Sequence, residues 1–164
     1  MKTLIIGLGN PILTDDGVGL KVAWKLEKSI DFEAHPELDI TEASAGGLRL
    51  MEAMLDYDRV MLINAYYLLP DTTNPGKIHR MTLDDLRSVS PSQHSTSAHD
   101  TSLVTALDAA KHMGYKVPQE IIIYAVEVEN ILDFSETPTP AVAAAIPIVT
   151  TRIIDEFSFR SRKI

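Results

Sequence analysis

Residues 3–28 read TLIIGLGNPILTDDGVGLKVAWKLEK, and the fold follows from the way this stretch changes character. Thr3 to Ile6 are apolar and β-prone, and Gly7, Gly9, Asn10 and Pro11 then supply turn chemistry. From Asp15 to Lys28, Val18, Val22, Trp24 and Leu26 are interspersed with Lys and Glu, as in an amphipathic helix. The chain thus opens on a strand, a glycine turn and a helix.

The same alternation continues outward. Leu38 to Ala43 reads as a second strand, and the following SAGGLRLMEAML places Leu48, Met51, Ala53 and Leu55 at helical spacing. The run from Val60 to Ile63 within RVMLINA is continuously apolar, which suits a central parallel strand covered on both faces. Asn74-Pro75-Gly76 forms a turn before a short strand in KIHRM. From Ser97, SAHDTSLVTALDAAKHMG predicts a capped helix with Leu103, Leu107 and Ala110 inward and Gly114 as its stop. EIIIYAVEV is the most strand-like segment. Thr139 before Pro140 marks a last helix start, with Val142, Ile146, Val149, Ile153 and Phe157 on one face and a kink expected at Pro147. Strands alternate with helices, with no repeat or long linker, so the pattern predicts one doubly wound α/β domain over residues 1–164.

Composition narrows the function classes. The formal charge of -8 argues against nucleic acid, whose phosphates call for a basic face. With no cysteine, disulfides and thiolate metal sites are excluded. The longest late apolar run, AVAAAIPIV, is too short to span a bilayer and the opening apolar run too short for a signal core, so no membrane association and a cytoplasmic location are expected.

In doubly wound sheets the ligand site lies beyond the carboxyl ends of the strands. After the first strand the third glycine of a dinucleotide fingerprint is missing, because Pro11 and Ile12 follow Asn10, so no nucleotide is expected. Asp15 and Asp16 then fall at the start of a helix, with Thr14 as a candidate N-cap. One acid suffices to complement the dipole, which leaves the other to face a site. Glu42 and the pair Gly46-Gly47 follow the second strand, and Asn64 follows the third. Ser97 and Asp100 have capping-box spacing, so His99 lies in the first turn of its helix, where the positive dipole end favours the neutral imidazole. His35 and His94 fall in loops, His79 in a strand and His112 late on a helix. Asp16, Asn64 and His99 thus offer a carboxylate, an amide oxygen and an imidazole from three element ends, a ligand set for a hard or borderline metal.

In order along the chain, IIGLGNPILTDDGVGLKVAWKL, GGLRLM, INA, PGKIHRM, SAHDTSLVTAL and VEVENILDFSETPTPAVAAAIPIV resemble the nickel-iron hydrogenase maturation endopeptidases. The resemblance implies a phosphorylase/hydrolase-like α/β/α sandwich around a mostly parallel twisted sheet, and an aspartic-type endopeptidase that removes the C-terminal extension of a hydrogenase large-subunit precursor after nickel insertion. Nickel then arrives with the substrate, and the partner is that precursor. Carried over, the family's metal-contacting carboxylate falls on Asp16 and its histidine on His99, the two catalytic candidates. Its second carboxylate falls on Asn64, where an amide oxygen can coordinate but cannot act as a base. Glu42 stands near another acid of the family and is a candidate for the missing charge. Asn10, Glu42, Gly46 and Gly47 are the substrate-contacting candidates.

Two other readings attach to the sequence. Asn64 motivates a non-catalytic factor that binds the precursor. IIGLGNP also resembles the opening of bacterial peptidyl-tRNA hydrolases, but LTDDGVG stands where that family has an Arg-His-Asn run, and the chain is acidic. Neither a cysteine nor a serine with a paired base is in evidence as a nucleophile.

Overall fold

The computed structural model describes residues 1–44, 47–68, 71–88 and 98–162, apart from the side chains of 87, 88 and 98–102. Five strands form one sheet: β1 (Thr3–Leu8), β2 (Leu38–Ala43), β3 (Arg59–Tyr66), β4 (Ile78–Thr82) and β5 (Glu120–Glu127). Their order is β2-β1-β3-β5-β4, parallel throughout except for β4, which runs antiparallel to β5 at the edge. The helices are α1 (Val18–Ser29), α2 (Leu48–Met54), α3 (Leu83–Ser88), α4 (Ala98–His112) and α5 (Pro140–Glu156). None is long and apolar enough to cross a membrane among the described residues.

The period-2 alternation of the central strands sorts the core into two faces. Ile5, Met61, Ile63, Ile122 and Tyr124 pack against Val18, Val22 and Leu26 of α1 and against Val142, Val149 and Ile153 of α5. On the other face Leu4, Ile6, Val60, Leu62 and Ile123 meet Leu50 and Met54 of α2, Leu86 of α3, and Leu103 and Leu107 of α4. The result is a three-layer α/β/α sandwich. Burying each of these large side chains fully is worth about 1.5–3 kcal/mol, which explains why the strands with residues in both clusters are the ones with the most continuous apolar sequence.

Three local outcomes differ from the sequence expectation. Helix α1 begins at Val18, and Thr14–Gly17 form a separate 3-10 turn. The buried stripe of α2 is Leu50, Met51 and Met54 while Leu48 is exposed, because the helix starts just after Gly47, whose φ of 65° aims it differently. The short helix α3 follows β4 directly and covers the sheet edge with Leu86. Ser97, expected as the cap of α4, lies outside the described residues. The far end of α4 is as expected, with Gly114 at φ 84° and the Tyr115 N–H returning to the Ala110 carbonyl at 3.1 Å.

The chain crosses from one side of β1 to the other between β2 and β3. Helix α1, after β1, covers one face of the sheet, and α3 and α4, between β3 and β5, cover the opposite face. The carboxyl ends of β1 and β3 are thus the topological switch point of the sheet, where doubly wound folds place their ligand crevice.

Candidate active site

Close backbone packing brings Asp16 to this crevice. Gly9 has φ 137°, and a Cβ there would lie 2.0 Å from the Asp16 carbonyl oxygen, so only glycine lets the chain fold under the acidic turn. At Gly19 a Cβ would lie 2.1 Å from the Ile63 carbonyl oxygen and 2.6 Å from that of Leu8. The first turn of α1 thus rests directly on the ends of β1 and β3.

The two adjacent aspartates do different work. Asp15 is fully buried and accepts hydrogen bonds from the Glu129 N–H at 3.2 Å, the Asn130 N–H at 3.1 Å and the Thr139 N–H at 2.7 Å. The Thr139 hydroxyl adds further bonds at 2.9 and 3.0 Å. Asp15 is therefore the anchor of the connection from β5 to α5. Asp16 is half-buried and accepts the Asn10 N–H at 2.8 Å through Oδ2, and its Oδ1 takes up no hydrogen bond among the described residues. Thr14, expected as an N-cap, has φ 52° and donates its hydroxyl to the Asp133 carbonyl at 2.6 Å, so its side chain serves the β5–α5 connection instead.

Asn64 is buried near the end of β3, opposite Ala125 of β5. Alternation with Val60 and Leu62 puts it on the face covered by α2 and α4. His99 is the second residue of α4, which packs on that face. The His99 side chain lies outside the described residues, so the shared ion expected for Asp16 and His99 falls there too. Among the described residues no three His, Cys, Asp or Glu side chains group as a metal site.

The expected substrate contacts separate. Asn10 Oδ1 accepts the Ile12 N–H at 3.1 Å, so this side chain shapes its own turn. Gly47 caps α2, and Gly46 lies outside the described residues. Glu42 alternates with Leu38 and Ile40, which places it on the α1 face of the sheet. Its carboxylate there accepts the Trp24 indole N–H. Glu42 is thus on the opposite face from Asn64 and does not restore a charge beside it.

One pair of side chains went unread in the sequence. Glu127, at the end of β5, is 2% exposed and accepts the Asn74 N–H at 3.0 Å. Its other oxygen lies 2.8 Å from His79 Nε2, and the His79 ring packs 5.0 Å from that of Tyr66. His79 stands opposite Ala125, which stands opposite Asn64, so His79 and Asn64 share one row and one face of the sheet. A neutral imidazole that donates Nε2–H to a buried carboxylate keeps Nδ1 as an acceptor. The available signal was an acid at the end of an otherwise apolar parallel strand, since a buried carboxylate requires partners.

Comparison with known proteins agrees with this architecture. Residues 20–156 match the HycI family model, described as hydrogenase maturation protease. The hydrogenase 2 maturation protease of Escherichia coli is 26% identical over 131 residues, covering 80% of this chain and 76% of that protein. The structure of the hydrogenase maturating endopeptidase HybD from E. coli superposes with a TM-score of 0.75 at 20% identity, covering 98% of this chain and 96% of that one. The [NiFe] hydrogenase maturation protease HybD from Thermococcus kodakarensis gives 0.69 at 21% identity, with 98% and 100% covered.

Proposed function

The chain belongs to the hydrogenase maturation protease family, and from that premise we propose that it is a cytoplasmic endopeptidase that removes the C-terminal extension of a nickel-iron hydrogenase large-subunit precursor once nickel has been inserted. The observation that carries the reading is the match to the family over residues 20–156. The geometry supports it, because Asp16 and Asn64 both stand at the switch-point crevice and α4, which bears His99, packs on Asn64's face.

In this reading the nickel is part of the substrate. Asp16 grips it through the carboxylate that the Asn10 N–H holds in place, Asn64 adds a neutral amide oxygen and His99 an imidazole. The protein's contribution is to hold these groups at the crevice, so that only a nickel-loaded precursor presents its scissile bond in register. Metal bound in this way acts as a specificity check and as a Lewis acid toward the peptide carbonyl.

Co-expression with a candidate large subunit, followed by mass measurement of that subunit's C-terminus, tests the proposal. The wild type shortens the precursor, while Asp16→Asn and His99→Ala leave it intact, with far-ultraviolet circular dichroism as the check that both variants remain folded. A precursor left at full length by the wild type overturns the reading.

A further inference from the structure

The segments that follow β3 and β5 enclose a groove of about 720 Å3 at the carboxyl edge of the sheet, within the range of ligand pockets. Tyr67 and Leu68 form one wall, and Val128, Ile131 and Leu132 the other. We propose that this groove seats an extended peptide carrying apolar and basic side chains; on the function proposed above, that peptide is the precursor segment bordering the cleaved bond.

The β5–α5 connection is built to hold apolar groups in solvent. Leu132 and Phe134 are 83% and 82% exposed, more than any other large apolar side chain among the described residues. Their loop is nevertheless firmly tied. Asp15 binds its Glu129 and Asn130 N–H groups, Asn130 Oδ1 accepts the Leu132 and Asp133 N–H groups at 3.2 Å, and the Ser135 N–H reaches the Ile12 carbonyl at 2.9 Å. A fixed loop with apolar side chains turned outward is preorganised for association, because the ordering is complete before the partner arrives. Large apolar groups presented together in this way mark contact surfaces.

Charge selects the partner. Glu129, Asp133 and Glu136 are exposed on this segment and Asp71 on the opposing one, while neither residues 67–76 nor residues 129–139 contain Lys or Arg. An acidic rim around an apolar floor favours lysine or arginine at the edges of the bound segment and apolar side chains at its centre. Because Asp15 both anchors this wall and adjoins Asp16, a peptide seated in the groove is led toward the crevice.

Amide chemical-shift mapping on the nitrogen-15-labelled protein tests this without any cleavage. The probes are a short synthetic peptide alternating lysine with leucine and its glutamate–leucine counterpart. The lysine peptide should shift Tyr67 and residues 128–133, and the glutamate peptide should not. Leu132→Ser should weaken the lysine peptide about tenfold or more, and Glu129→Lys should weaken it while admitting the glutamate peptide. Both variants should keep the thermal midpoint of the wild type. Shifts centred elsewhere, equal response to both peptides, or unchanged affinity in Leu132→Ser overturns the groove. Binding as expected with no precursor processed would remove the peptidase reading and leave the groove standing. Processing whose KM is unmoved by Leu132→Ser would do the reverse.

Discussion

An amide at position 64 changes what the crevice between β1 and β3 can offer a cation. A carboxylate there would bring a full charge into a buried position, whereas Asn64 brings only a dipole. Unit charges about 4 Å apart interact by roughly 1 kcal/mol in water and 4 kcal/mol near a protein surface. Asn64→Asp should therefore tighten nickel binding by about ten- to a thousandfold, read by calorimetric titration. Glu42→Gln should leave the affinity unchanged, because Glu42 lies on the α1 face in the grip of Trp24. Equal affinity for Asn64→Asp and the wild type would remove position 64 from the ligand set. A loss in Glu42→Gln would mean that charge acts across the sheet. Residue roles of this kind were half legible in the sequence. The pair Asp15-Asp16 announces that something unusual follows β1, but which acid is buried depends on a connection more than a hundred positions away, at Glu129, Asn130 and Thr139.

At the scale of elements, the amino ends of three strands are sewn together by one half-buried residue. Asp58, just before β3, accepts the Lys2 N–H at 2.7 Å and lies 3.1 Å from Lys116 Nζ, while its own carbonyl receives the Gln119 N–H ahead of β5. The Lys2 N–H first, and the Lys116 ammonium second, hold the Asp58 carboxyl below its ordinary range. A carboxyl depressed in the folded state contributes stability that is fully present above its unfolded pKa of about 3.9 and is lost as pH falls through the folded value. Asp58→Asn should thus melt below the wild type near neutral pH, and the two midpoints should converge as acid is added from roughly pH 5 downward. A gap that stays constant down to pH 2 would show that the charge is not the source. Elements were the most legible scale in the sequence. Val60 to Ile63 reads as a covered central strand and EIIIYAVEV as the most strand-like segment, and both lie in strands of the sheet, as does β2 from Leu38 to Ala43. What stayed hidden was set by contacts along the fold: the 3-10 turn fixed by Gly9 and Gly19, the rotation of α2 after Gly47, and the antiparallel entry of β4.

Across the whole molecule the two apolar layers are inseparable, because β1, β3 and β5 each supply residues to both. Neither face can lose its helices without exposing the back of strands on which the other face depends, so the domain should unfold in a single transition despite its two clusters. The only tryptophan, Trp24, sits on α1 and reports one face. Leu107 of α4 and Ile153 of α5 are buried on opposite faces. Replacing either by alanine should cost about 2–5 kcal/mol, and because the sheet separates them the costs should add in the double variant. The decisive measurement is denaturant unfolding of Leu107→Ala followed by Trp24 fluorescence and by far-ultraviolet circular dichroism. If the layers form one cooperative unit, a cavity on the α4 face displaces the Trp24 transition by as much as it displaces the dichroism. A Trp24 midpoint that stays in place while the dichroism moves would mean that the α1–α5 layer stands alone. The crevice would then join two independently stable halves, since Asp16 enters it from the turn before α1 while Asn64 faces the α4 layer.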